Sequence, residues 1–189
     1  MNARHISPAA DGLVGPVSRL RRAACAVLGS SALAFALGGL AGPAHAADKP
    51  YDEAADAHAQ VRQGLADAQA AHVPLLIVFG ANWCKDCHAL DTALKSGRTA
   101  TLMQQRFRVV KIDVGNFDHN LDVAQAYGDP LKKGIPAAVI VSPANEVLYA
   151  TRGGELADAR HMSETGIYDF FDNAARTHGV AAANATAGH

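Results

Sequence analysis

The chain has 189 residues, 49% of them apolar, and a formal net charge of −1. That apolar share excludes a disordered chain, and the charge excludes the strongly basic face of a nucleic-acid binder. Residues 1–46 have the pattern of a removable leader; the 143 residues that follow carry 13 basic and 17 acidic side chains, enough for one domain and too few for two.

The leader opens with a basic stretch, Arg19-Leu20-Arg21-Arg22. An apolar run from about Ala23 to Ala41 follows, then Gly42-Pro43 and the small-x-small triplet Ala44-His45-Ala46. This pattern predicts cleavage after Ala46 and export, with the periplasm as the expected location. The alternative is an uncleaved anchor, since the apolar run is close to spanning length. Gly29, Gly38 and Gly39 weaken its hydrophobicity. Cys25 lies in the leader and is expected to leave with it. Cys84 and Cys87 are then the whole thiol inventory, which favours a chemical role over a disulfide scaffold.

In the mature chain, residues 52–70 place Ala54, Ala57, Val61, Leu65 and Ala68 on one helical stripe, ending near His72-Val73-Pro74. Leu75 to Phe79 is a continuous apolar run with β-branched residues, the pattern of a buried central strand. From Cys84 to about Ser96 a helix is expected, with Cys87, Leu90 and Leu94 on one face, Asp91 and Lys95 as an i,i+4 pair, and Gly97 as C-cap. A further helical piece covers 99–105, and Phe107 to Val114 reads as a second buried strand.

A polar loop runs from Gly115 to Asn120, and Asn120 is placed to cap a short helix through Tyr127. Another loop follows from Gly128 to Gly134. Pro136 to Val141 and Val147 to Thr151 are strands joined by a turn, so they form an antiparallel hairpin. The last helix spans 163–178, with Ile167, Phe171, Ala174 and Ala175 inward and Phe170 also packing in the core. Residues 179–189 are expected to be a disordered tail. The order of elements predicts an α/β domain over 47–178, a mixed central sheet flanked by helices, with a helix before the first strand.

The chemistry concentrates at Trp83-Cys84-Lys85-Asp86-Cys87, where an apolar strand meets a helix. Two intervening residues bring both sulfurs to the first helical turn, within bonding reach. Cys84 stands at the helix N-terminus, where unpaired N–H groups and the macrodipole favour a thiolate, the nucleophilic form. Cys87 lies one turn in, on the stripe with Leu90 and Leu94, and is expected to be buried. Cys84 is therefore read as the nucleophile and Cys87 as the resolving thiol. The charges of Lys85 and Asp86 modulate the site in opposite senses.

Phe79-Gly80-Ala81-Asn82-Trp83-Cys84-Lys85-Asp86-Cys87 resembles the active-site strand, turn and helix of the thioredoxin family, and Gly134-Ile135-Pro136-Ala137 stands where that family has its cis-proline. The resemblance covers about residues 70–175. In detail it is similar to the periplasmic reductant branch, such as the C-terminal domain of DsbD. It implies a thioredoxin fold, a cis bond before Pro136, and a substrate strand pairing with the Ile135 backbone beside Trp83. It implies no dissociable cofactor, since the Cys84–Cys87 pair itself carries the electrons. The implied partners are disulfides or thiols of periplasmic proteins and a membrane thiol donor or acceptor. The expected direction is reduction and the expected state a monomer. One departure stands out. Many thioredoxins carry a buried acid six residues before the first cysteine, where this chain has Val78. Lys111 on the next strand is the candidate neighbour of Cys87.

Other readings of the same residues remain open. Cys84-x-x-Cys87-His88 matches the attachment motif of a c-type haem, with Met103, Met162 or a histidine as distal ligand. Cys84, Cys87 and His88 could hold copper or zinc with a fourth ligand, although no pair among the mature histidines has a spacing that strengthens a metal site. The chain could also be a non-catalytic binding module on a thioredoxin fold.

Overall fold

The computed structural model describes residues 49–178. The leader, Cys25 and the segment 179–189 lie outside the described residues.

The uninterrupted apolar run after Pro74 has no side chain to offer to water, and it becomes the centre of the sheet. β1 (Leu75–Gly80) is buried along its whole length. Its flanks are β2 (Arg108–Asp113), parallel to it, and β3 (Ala137–Val141), antiparallel. β4 (Val147–Ala150) pairs antiparallel with β3, which gives the order β2-β1-β3-β4. Val78 is flanked by Lys111 on one side and Ala138 on the other.

Alternation along β1 feeds two cores. Ile77 and Phe79 join Ile112, Val114 and Val139 beneath α1 (Ala57–Ala71) and α4 (Leu121–Ala126). Leu76 and Val78 join Ala138 and Ile140 beneath α2 (Lys85–Leu94), α3 (Gly97–Arg106) and α5 (Glu164–Thr177). The start of α2 crosses the end of the sheet, so Cys84 and Cys87 belong to the first core while Leu90 and Leu94 belong to the second. Short 3-10 turns occupy Pro130–Lys133 and Ala159–His161. This is the thioredoxin-like arrangement of a mixed sheet with helices on both faces. Among the described residues no helix is long and apolar enough to cross a membrane.

α5 buries Ile167, Phe171, Ala174 and Ala175, the face that the spacing predicts, and Ser163 caps it by accepting from the Gly166 N–H at 3.0 Å. Elsewhere the structure differs from expectation. α1 begins at Ala57 because Asp56 is the residue that caps it, accepting from Ala59 N–H; Ala54 is exposed before the helix. Ala57, Val61 and Ala68 are buried as the stripe predicts, and Gly64 joins them in place of the partly buried Leu65, since a Cβ at 64 would press on Val110 and Leu75. α2 ends at Leu94, and Gly97, at φ +51°, opens α3 instead of closing α2. β2 is an edge strand, so only Ile112 and Asp113 are buried in it and Val109 is exposed. Asn120 stands before α4 but does not cap it; its side chain donates to the carbonyl of Asp113 at 2.8 Å, tying the loop to the end of β2.

Candidate active site

β1 ends at Gly80, and three residues carry the chain over the sheet edge to Cys84. There the backbone is extended, φ −82° and ψ 112°, the geometry of an N-cap. Its Sγ accepts the N–H of Cys87 at 3.1 Å, so a sulfur takes the place that Ser or Asp holds at other helix starts. Cys84 and Cys87 are joined by a disulfide, with Cα atoms 5.2 Å apart. Cys84 keeps 5% of its surface in solvent and Cys87 none. Only Cys84 keeps any solvent contact with which to meet an incoming group, and its sulfur receives the Cys87 N–H at the positive end of the helix, which stabilises an anion.

The Ile135–Pro136 peptide bond is cis. It brings the Ile135 carbonyl oxygen to 3.7 Å from Cys84 Sγ, with Ile135 and Pro136 both buried. Between this segment and Trp83 runs an open groove of about 460 Å³, walled by Trp83, Cys84, Lys85, Phe117, Gly134 and Ile135. Trp83 is 56% exposed, and its indole N–H donates to the Gly115 carbonyl at 2.9 Å. Its ring leans on the exposed ring of Phe117, centroids 6.3 Å apart. An apolar lip therefore stands beside the exposed sulfur.

The other candidate residues separate into distinct environments. Lys85 is exposed, whereas Asp86 is largely covered and turned away to Arg160: its carboxylate accepts the Arg160 N–H at 3.0 Å and lies 3.6 Å from the Arg160 Nε. Opposition between Lys85 and Asp86 thus gives way to an Asp86–Arg160 contact that pins the groove wall. Lys111 pairs with Asp91, a carboxylate buried one turn beyond Cys87 on α2, and Lys95 completes the cluster at 2.7 Å. Lys111 is therefore one of two lysines that hold a buried carboxylate on the second face of the sheet. His88 is half-buried, with Nε2 2.7 Å from the Asn82 carbonyl oxygen, so one imidazole nitrogen is engaged inside the protein and not turned outward. Among the described residues no three His, Cys, Asp or Glu side chains come together as a metal-ligand set.

Sequence reasoning missed four residues of this site. Phe117 hides in a polar loop at φ +64°, a backbone region that disfavours aromatic residues. Arg160 comes from 74 positions beyond Asp86. Asn82 binds both backbone groups of Tyr51 through its side chain, at 3.0 and 2.8 Å. Tyr51 itself lies below the cysteines. Only Asn82, inside the strand-to-helix turn, carried a local signal.

A family model described as thioredoxin-like matches residues 56–143. The crystal structure of a disulphide isomerase from Xylella fastidiosa Temecula1 is 56% identical, with a TM-score of 0.66, covering 68% of this chain and 98% of that one. The oxidised C-terminal domain of DsbD from Neisseria meningitidis is 18% identical, with a TM-score of 0.44, covering 63% of this chain and 96% of that one. No curated protein matches the chain. With its mixed sheet, its paired cysteines at the start of α2, and a relative of this identity spanned almost end to end, the chain belongs to the thioredoxin-like family.

Proposed function

We propose that this protein is an exported thiol-disulfide oxidoreductase that exchanges its Cys84–Cys87 pair with disulfides of periplasmic proteins, in the reducing direction. The observation that carries this reading is the asymmetry of the pair: Cys84 faces a groove and caps a helix, while Cys87 is sealed behind it. In the reduced form the Cys84 thiolate attacks one sulfur of a client disulfide. The client S–S bond breaks, its second sulfur leaves as a thiolate and takes a proton, and Cys84 is joined to the client. Cys87 then loses its proton and attacks Cys84 Sγ. The mixed disulfide breaks, the first client sulfur leaves and is protonated, and Cys84–Cys87 closes. Two electrons pass from the pair to the client, and no dissociable cofactor takes part.

The client segment lies along the groove, its backbone beside Ile135 and its side chains on Trp83 and Phe117. Export rests on the leader pattern before Ala46. A membrane thiol donor restores the dithiol. The relative from Xylella fastidiosa is a disulphide isomerase; isomerisation starts from the same Cys84 mixed disulfide and differs in whether Cys87 resolves it.

Insulin reduction tests the reading. The wild-type chain is expected to reduce insulin with a thiol recycling agent, Cys84→Ser to lose the activity, and Cys87→Ser to accumulate a mixed disulfide through Cys84. Activity that survives Cys84→Ser contradicts the assignment. A Soret band in purified protein would instead favour the haem reading.

A further inference from the structure

The ring of Tyr51 lies beneath the two cysteines, in a position that no step above uses. Tyr51 precedes α1, and its side chain is 2% exposed in the same core as Phe79, Cys84 and Cys87. Its backbone is strapped to the turn before the nucleophile. The Tyr51 N–H donates to Asn82 Oδ1 at 3.0 Å, and Asn82 Nδ2 donates back to the Tyr51 carbonyl at 2.8 Å.

This strap drives the phenol under the end of β1, where the chain has Gly80. A Cβ built on Gly80 would stand 2.2 Å from the Tyr51 hydroxyl oxygen and 2.9 Å from Cys87 Sγ. One point in space is bracketed by both groups, which puts them no more than about 5 Å apart. Close approach is thus what requires glycine here.

Cys87 has no solvent contact, and a buried thiolate is costly unless a donor faces it. The N–H of Cys87 is spent on the Cys84 sulfur, and position 78 offers only a valine. We propose that Tyr51 is a positioning residue for the resolving thiol: as the disulfide opens, its hydroxyl donates a hydrogen bond to the sulfur of Cys87 and steadies the thiolate that attacks Cys84. This inference rests on the exchange reading above and names how its second step is supported.

The phenol keeps its own proton throughout. The Cys87 proton passes outward past Cys84, the member of the pair that touches solvent, and the departing client sulfur takes a proton from solvent. Burial, and after it the nearby Asp113 carboxylate, raise the pKa of the Tyr51 hydroxyl, so it stays a donor across the working range. Other ionisable groups on the elements packed here include Cys84 at the start of α2, Lys85, Asp86 and His88 in its first turns, Asp113 at the end of β2, and Asp91 further along α2 with its partners Lys95, just past that helix, and Lys111 on β2.

The test is single-turnover exchange of the reduced, full chain with glutathione disulfide as probe, in wild type and Tyr51→Phe. The ring and its packing remain in Tyr51→Phe. Formation of the Cys84–glutathione mixed disulfide is expected to be unchanged, and its resolution by Cys87 to slow roughly three- to tenfold, the size of one hydrogen bond. In a Cys84→Ser background, Tyr51→Phe is expected to move the Cys87 titration to higher pH. Asn82→Ala, which frees the strap, is expected to slow resolution in the same sense. Resolution at the wild-type rate in Tyr51→Phe, with the Cys87 titration unmoved, overturns the inference while leaving the exchange reading intact. A wild-type chain that never forms the mixed disulfide overturns the exchange reading, and this inference with it.

Discussion

The backbone N–H of Cys87 points at the Sγ of Cys84 across 3.1 Å, so one cysteine supplies the helix donor that favours charge on the other. The two thiols of the reduced protein are therefore expected to differ. Cys84 should titrate below a free thiol and Cys87 above it, because the first gains helix N–H groups and the second loses water. Ultraviolet thiolate absorbance of the Cys84→Ser and Cys87→Ser variants checks this; equal titration of the two would contradict the assigned roles.

Phe117 separates stability from client capture. It is an exposed aromatic in the left-handed region, leaning on Trp83 at the groove. Holding a bulky residue there costs about 1–3 kcal/mol, which Phe117→Gly relieves, while glycine costs about 1 kcal/mol in unfolded-state entropy. The variant is expected to hold its urea midpoint or gain slightly. Its KM for a peptide disulfide should rise severalfold with kcat little changed, since in the proposed exchange the ring lies against the client and not the sulfurs. A large fall in stability with an unchanged KM would mean the ring is structural.

The Asp91 cluster predicts unequal costs for its two lysines. Lys95 is more than half exposed, so Lys95→Ala should cost under about 1 kcal/mol. Lys111 is only 20% exposed and faces a carboxylate that is 5% exposed. Removing it leaves much of that charge uncompensated, and Lys111→Ala should cost about 3 kcal/mol. Equilibrium urea unfolding of the two variants reads the difference directly, and equal costs would count against the buried network.

Tyr51 also predicts a limit at alkaline pH. Its folded pKa is raised above the unfolded value, by burial first and by Asp113 second. The folded state therefore holds the proton more tightly, and the resulting stability is present below about pH 10, the ordinary tyrosine value, and declines as pH rises further. Urea midpoints followed upward from pH 9 should fall in wild type and fall less in Tyr51→Phe.

Much of this architecture could be read from local pattern. The apolar run Leu75 to Phe79 announces a buried strand and the Cys84–Cys87 spacing places both sulfurs on one turn, whereas the cis bond before Pro136 followed only from the resemblance to the thioredoxin family. The inward face of α5 follows from spacing alone. What could not be read depends on contacts made at a distance. Edge or centre is a property of the sheet and not of the strand, so Phe107 to Val114 looked as buried as β1. Lys111 has a partner only because α2 brings Asp91 over β2. Gly80 looks like an ordinary turn glycine until Tyr51 is folded beneath it. Phe117 lies in a loop whose composition signals only polarity, and nothing near it in the chain says that Trp83 will be its neighbour.

The central claim is that the two sulfurs open and close reversibly at a potential useful to a client. A titration of the Cys84–Cys87 pair against reduced and oxidised glutathione measures this, with alkylation reporting the free thiols. A single two-electron transition is expected inside the span of related dithiols, about −270 to −120 mV, toward its reducing end. A pair that stays bonded below about −300 mV, as structural disulfides do, or that never forms the bond under oxidising conditions, would contradict it.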